Sequence, residues 1–226
     1  MSDFRKFDKS VFVHNTSVFY PDVVIGKNTI IEEFCVIGKP GRENQRQAIY
    51  SNEGQAPKNF QTKLGSNCYI HTGTIIYQGA LIENDVVCHD YSKIGSGTRI
   101  SKGTKVHYNV QIFKNVQIGS NCRIGGFCCN DSVIGDNSSI YGKLVHRYSA
   151  HPGIKTDKAP IVGSNVVIGF NSVVIGEVFI SDFSYVTAGS IVTKDVPPRS
   201  VVTGVNEITP IEKWQGRMNI GIINSS

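Results

Sequence analysis

The sequence predicts an all-β solenoid built from very short strands, and three observations predict it. The first is the stretch 162–197, which divides without remainder into hexads: VGSNVV, IGFNSV, VIGEVF, ISDFSY, VTAGSI, VTKDVP. Each hexad opens on an aliphatic residue (Val162, Ile168, Val174, Ile180, Val186, Val192). Each carries a small residue at its fifth place (Val166, Ser172, Val178, Ser184, Ser190, Val196). The fifth residue of one hexad and the first of the next are two apart, so a strand puts both on one side, whereas a helix of 3.6 residues per turn scatters them. The second observation is the reach of the frame, about 24 hexads across the chain, since self-similarity at a fixed period marks a repeat architecture. The third is glycine directly after the opening residue, at Gly26, Gly38, Gly65, Gly95, Gly119, Gly125, Gly135, Gly163 and Gly169. Glycine there suits a backbone that turns tightly or runs close to a neighbour.

Taken in order, residues 1–12 are a polar lead-in. Val13, Phe19, Ile25, Ile31 and Ile37 open the first run of hexads. The next opening residue is Leu64, 27 positions after Ile37 and so out of frame, which throws residues 39–63 off the solenoid as a first excursion. Long excursions from a compact fold carry function or solvated chain. This one is either a solvated loop or oligomer contact, or an acceptor-binding loop using Arg42, Arg46 or Glu53. Residues 64–129 are the most regular block. The frame slips at Asn130 to Val133, where a bulge or tight extra turn is expected. A second excursion, 146–160 (HRYSAHPGIKTDKAP), starts where the strand in IYGKLV ends. Residues 1–205 are thus expected to form one solenoid domain and 206–226 a tail. In that tail Pro210 would start a short helix capped by Thr209, with Trp214 packing back.

These hexads resemble the hexapeptide-repeat acyltransferase family over roughly residues 10 to 205. The resemblance implies a left-handed parallel β-helix in which three hexads make one triangular coil, about eight coils in all. It also implies a homotrimer with active sites between subunits, an acyl-CoA donor (acetyl-CoA first) and a sugar acceptor, foremost a nucleotide-linked amino sugar. A dicarboxylate acceptor, as in the succinyltransferases of lysine synthesis, is the alternative within this class.

Composition narrows the partners. The net charge is +5, with no basic run interleaved with aromatics, so nucleic acid is not expected and a polyanionic cofactor fits as well. Among the six cysteines, Cys35, Cys68, Cys122 and Cys128 are read at fifth positions and Cys88 at an opening one, with Cys129 outside the core. Cysteines used as small apolar fillers favour a reducing compartment. MSDFRKFDKS has no apolar segment of a signal peptide, and no apolar run approaches a membrane span, so the expectation is cytoplasmic.

Acyl transfer to an amine or hydroxyl needs a general base and donors for the developing oxyanion, and histidine is the base suited to neutral pH. The resemblance points to three histidines. His146-Arg147 matches the His-Arg pair of antibiotic acetyltransferases, and His151-Pro152 the His-Pro pair of maltose- and galactoside-type acetyltransferases. VVCHDYSKIG resembles the His-Asp pair of lipid A and sialic-acid-type acyltransferases, which nominates His89, although His89 stands one residue further from the following Ile-Gly than in those families. His71, His89 and His107 each follow an opening residue at intervals of 18 and are expected to stack in a column, as a structural ladder or trimer contact or as the setting of a base. The closing VTAGSIVTKDVPP resembles the cofactor rungs of these enzymes. It implies coenzyme A along Thr187, Ala188, Gly189 and Ser190, with Lys194 and Arg199 near phosphate. No metal site is expected. The spacing of His146 and His151 is similar to that of γ-class carbonic anhydrase ligands, but those lie on coils and these in an excursion. The remaining alternatives are a binding scaffold without catalysis and a metal enzyme similar to the γ-class carbonic anhydrases.

Overall fold

A computed structural model describes residues 7–41, 61–148 and 158–216. The protein is an all-β parallel solenoid, as the hexads predict, with about nine turns summed along the chain against the eight expected. It divides into two compact units, 1–115 and 116–226.

In the first unit three sheets share the work. The first face carries Phe12–Val13, Ile30–Ile31, Tyr69–Ile70, Val87–Cys88 and Lys105–Val106. The second carries Val18–Phe19, Val36–Lys39, Ile75–Tyr77, Lys93–Ile94 and Gln111–Ile112. The third carries Val23–Ile25, Thr62–Leu64, Leu81–Ile82 and Arg99–Ile100. Every pairing is parallel. The first excursion is tighter than the sequence predicts, because Val36–Lys39 and Thr62–Leu64 are both strands of the solenoid. Arg42, Arg46 and Glu53 lie outside the described residues.

The second unit repeats the plan. Gln117–Ile118, Val133–Ile134, Ile161–Val162 and Phe179–Ile180 form its third face. Arg123–Ile124, Ser139–Ile140, Val167–Ile168, Tyr185–Val186 and Ser200–Thr203 form its first. Phe127–Cys128, Lys143–Val145, Val173–Ile175 and Ile191–Val192 form its second. The frame slip lies earlier than expected. Strand Arg123–Ile124 is followed at once by Phe127–Cys128, and a Cβ at Gly126 would collide with the Gly142 carbonyl, so only glycine fits this shortened turn. Cys128 is consequently an opening residue, fully buried, and Cys129, expected outside the core, is 3 % exposed and sits against Ser132 Oγ at 3.3 Å.

Opening and fifth-place residues fill the interior, from Ile31 and Cys35 to Val192 and Val196. Each such pair contributes on the order of 2–4 kcal/mol of apolar burial. The turns obey a rule the hexads did not make explicit. The fourth residue takes positive φ, as at Asn28, Asn67, Asp85, Asn109, Asn137, Asn165 and Gly189. Asn, Asp and Gly tolerate that conformation best. The side chains also ladder between coils, Asn28 Nδ2 donating to Asn67 Oδ1 at 3.2 Å and Asn67 Nδ2 to Asp85 Oδ1 at 3.0 Å.

The tail corrects the expected helix. Glu207–Pro210 pairs antiparallel with Ser200–Thr203, and among the described residues a 3₁₀ turn at Ile211–Lys213, with no side-chain cap from Thr209, is the helical element that follows. A hairpin satisfies four residues of an otherwise bare sheet edge, which a one-turn helix does not.

Candidate active site

The corner that follows the first-face strands of the first unit concentrates the titratable side chains. The parallel ladder sets His14, Glu32, His71 and His89 in one row, because each backbone N–H donates to the next coil: His14 to Ile31, Glu32 to Ile70, His71 to Cys88, His89 to Val106. The inter-strand spacing of about 4.8 Å then stacks any rings placed there. His71 and His89 stack with centroids 4.9 Å apart, and His89 and His107 at 5.7 Å. The column anticipated from the 18-residue spacing is therefore present. The sequence reading missed that His14 and Glu32 continue it, since the first excursion stretches the interval from Glu32 to His71 to 39.

Glu32 anchors one end. Its carboxylate accepts from Tyr69 Oη at 2.6 Å and from Thr72 N at 3.0 Å, and lies 3.4 Å from His71 Nδ1. Burial pushes this carboxyl up, but the Tyr69 and Thr72 hydrogen bonds and the His71 charge outweigh it and hold it below the usual carboxylate range. Tyr69 is raised in turn, chiefly by that same hydrogen bond. Tyr69 also stacks on His71, with centroids 4.1 Å apart.

His89 differs from its neighbours. Burial pushes its imidazole below the ordinary histidine range, and His71 and His107 beside it push the same way, while Asp90 opposes them. These effects favour the neutral ring, the form that accepts a proton. Its Nδ1 is buried with no hydrogen-bond partner among the described residues. Leaving such an atom unpaired costs about 1–3 kcal/mol, and functional sites are where native proteins carry that cost. Tyr108 lies against the ring at 4.8 Å. His71, His89 and Asp90 also bring one ligand atom each within 4.8 Å of one another, on coils rather than in an excursion.

The other nominated residues fall elsewhere. His146 is half-buried at the end of Lys143–Val145, edge-on to Tyr148 at 6.1 Å, and Arg147 packs over Gly176. His151 lies outside the described residues. Among the cofactor candidates, Ala188 and Gly189 are exposed, and a Cβ at Gly189 would meet nothing within 4 Å, so the backbone there is open to a close-lying chain. Ser190 instead faces the interior at 1 % exposure, bonded to Thr187 Oγ1 at 2.8 Å, so it shapes that surface from beneath. Lys194 is exposed, and Arg199 Nε meets Glu212 Oε1 at 3.4 Å on the surface. A groove of about 360 Å³ on the third face of the first unit is lined by Val24, Lys63, Leu81 and Arg99 but by none of the histidines.

Repeat, sheet order and corner together define a hexapeptide-repeat solenoid. Residues 8–39 match the model of the bacterial transferase hexapeptide family (six repeats). Over 211 residues the chain is 28 % identical to the bifunctional protein GlmU of Clostridium botulinum, covering 85 % of this chain and 40 % of that protein. It is also 28 % identical to GlmU of Acetivibrio thermocellus over 219 residues, 94 % of this chain and 41 % of the relative. The chain thus spans about two-fifths of the length of these curated relatives. The solved UDP-N-acetylglucosamine acyltransferase of Campylobacter jejuni shares the fold, at 14 % identity and a TM-score of 0.50, over 87 % of this chain and 73 % of that one. Among the described residues no helix is long and apolar enough to cross a membrane.

Proposed function

We propose that this chain is an acyl-CoA-dependent acyltransferase that acylates an amine or hydroxyl of a sugar, with acetyl-CoA the first donor and a nucleotide-linked amino sugar the first acceptor. The observation that carries the reading is His89, a half-buried imidazole biased toward its neutral form, with an unpartnered nitrogen inside a polar column. His89 takes the proton as the acceptor's nitrogen or oxygen attacks the thioester carbonyl carbon. It returns that proton to the leaving thiol as the carbon–sulfur bond breaks. Asp90 flanks the ring and stabilises the imidazolium that forms in between. Coenzyme A, when bound, supplies the activated acyl group. Thr187, Ala188 and Gly189 offer it an open strip of backbone, with Lys194 and Arg199 as cations for phosphate. His146 and His151 are the second choice of base, resting on their pairs with Arg147 and Pro152.

The reading extends to assembly and setting. The chain works as a homotrimer, and its six free thiols suit a reducing compartment such as the cytoplasm. Acetyl-CoA offered with a panel of nucleotide-linked amino sugars should release free thiol with one of them. A purely scaffolding solenoid would give no release with any, and no thermal stabilisation by coenzyme A. A hydration enzyme of the γ-carbonic-anhydrase kind would instead copurify with stoichiometric metal.

A further inference from the structure

The corner that holds the histidines also carries two aromatic side chains in a backbone conformation that suits neither. At its fourth place successive coils present Phe34, Gly73, Tyr91 and Asn109, at φ 57°, 69°, 57° and 57°. Glycine and asparagine tolerate that region, whereas a residue with a large ring adopts it at a cost. Phe34 and Tyr91 are 65 % and 64 % exposed, so burial of the ring does not offset the strain. Strain held in this way points to function. The Tyr91 ring is also seated. Tyr91 N donates to Thr72 O at 2.9 Å, and a Cβ at Gly73 would lie 2.6 Å from Tyr91 Cδ1 and 2.7 Å from Tyr91 Cε1. Glycine at 73 therefore lets one edge of the ring rest on the backbone of the preceding coil while the remainder faces outward. Among the described residues no other ring and no cation lies over it.

Tyr91 closes the turn that His89 and Asp90 begin, and Asp90 brings a carboxylate oxygen within 4.8 Å of a ring nitrogen of His89. The permanent charges at the second and third places of this corner are acidic: Glu32, Glu33 and Asp90. We infer that Tyr91 is the platform on which the acceptor's sugar ring lies, with Asp90 accepting from its hydroxyl or amine donors. The face of an aromatic ring is the negative side of its quadrupole, and a saturated sugar ring turns polarised C–H bonds toward such a face. The acids suit an acceptor rich in donors and repel a dicarboxylate. This inference rests on the proposed function and selects among its acceptors, favouring the amino sugar over the dicarboxylate.

The test reads acceptor binding and stability together in the full chain. Titration calorimetry with UDP-glucosamine and UDP-galactosamine needs no turnover, and glutamate serves as the dicarboxylate comparison. Tyr91→Asn, which repeats at 91 the residue found at 109, should weaken binding of an amino sugar about fivefold or more. It should also leave the unfolding midpoint at or above that of the parent, because the strain is relieved. Tyr91→Phe keeps the platform and should bind within about twofold of the parent. Gly73→Ala, whose methyl group pushes the ring off its seat, should weaken binding as Tyr91→Asn does. In thiol release the loss in Tyr91→Asn should fall on the acceptor KM. Binding by Tyr91→Asn within twofold of the parent, no binding of either sugar by the parent, or tighter binding of glutamate than of both sugars overturns the inference. A midpoint lowered by more than about 5 °C in Tyr91→Asn assigns the ring to packing and overturns it as well. Thiol release that needs His89 but not Tyr91 would remove this inference and leave the proposed function standing, and Tyr91-dependent sugar binding without thiol release would do the reverse.

Discussion

The corner after the first-face strands exists in both units, and the two versions are built for opposite ends. In the first unit it holds His14, Glu32, His71, His89 and His107, large polar side chains that stack outward. In the second the same place in the repeat holds Tyr141, Gly169 and Thr187. A Cβ at Gly169 would lie 2.6 Å from Ala188 N and 2.7 Å from Val186 O. The hexad frame is the same and so is the ladder, since Gly169 N donates to Val186 O as His89 N donates to Val106 O. The difference at Gly169 is that a side chain has no room beside the next coil. Where there is room, the corner accepts side chains and can carry chemistry. At Gly169 only glycine fits, while Tyr141 and Thr187 on the adjoining coils still carry side chains. Repeat architecture therefore fixes the slots, and local room beside the next coil decides which of them can become reactive.

The contrast can be broken most forcefully at Gly169. Gly169→Ala should destabilise the fold by about 2–3 kcal/mol, since the methyl group must displace backbone rather than side chain. Chemical denaturation measures this, and a cost below about 0.5 kcal/mol would mean that Gly169 has room for a side chain.

The next largest effect concerns the buried thiols of each unit. Burial raises the buried thiols, Cys35 to about 11, with Cys88 and Cys128 pushed further the same way. A thiol raised on folding keeps its proton in the native state and loses it first in the unfolded chain. Its stabilising contribution is thus full below the unfolded value near 9 and is lost as pH climbs toward the folded one. Thermal unfolding should fall off from about pH 9 upward, and serine at Cys88 should flatten that decline. A midpoint unchanged between pH 8 and 10.5 would contradict it.

Smaller again is Gly189→Ala, at φ 73° but in open space. Strain alone should cost about 1 kcal/mol. A cost equal to that at Gly169 would erase the distinction between strain and collision.

Much of this was legible in the sequence because the period is rigid. Val162 to Val196 announces inside and outside residue by residue, and the 18-residue interval of His71, His89 and His107 announces a stack. Glu32 was hidden because the interval from it to His71 is 39 residues, which destroys the arithmetic while preserving the contact. The shortened turns at Gly126 and Gly142 mislead for a related reason. A four-residue side shifts the frame, so Cys128 reads as a fifth-place residue when it is an opening one. The Asn and Asp residues at fourth places were visible throughout, and their use is a backbone preference that hydrophobic bookkeeping does not register. The C-terminal hairpin went unread because Pro210 followed by Ile-Glu-Lys-Trp has good local helix chemistry, and the bare edge of the last coil outweighs it.

The central claim is that His89 does proton chemistry while its stacked neighbours hold it neutral. Its most direct test is the pH dependence of thiol release from acetyl-CoA with the accepted sugar, for the parent chain and His89→Ala. The parent should keep its activity down to a pH below 6.5, the ordinary histidine value, because burial, His71 and His107 lower the His89 ring against the opposing pull of Asp90. His89→Ala should lose about 100-fold or more in turnover and lose that acid limb with it. Turnover within threefold of the parent in His89→Ala, with the acid limb intact, would contradict the account and move the base to the second excursion.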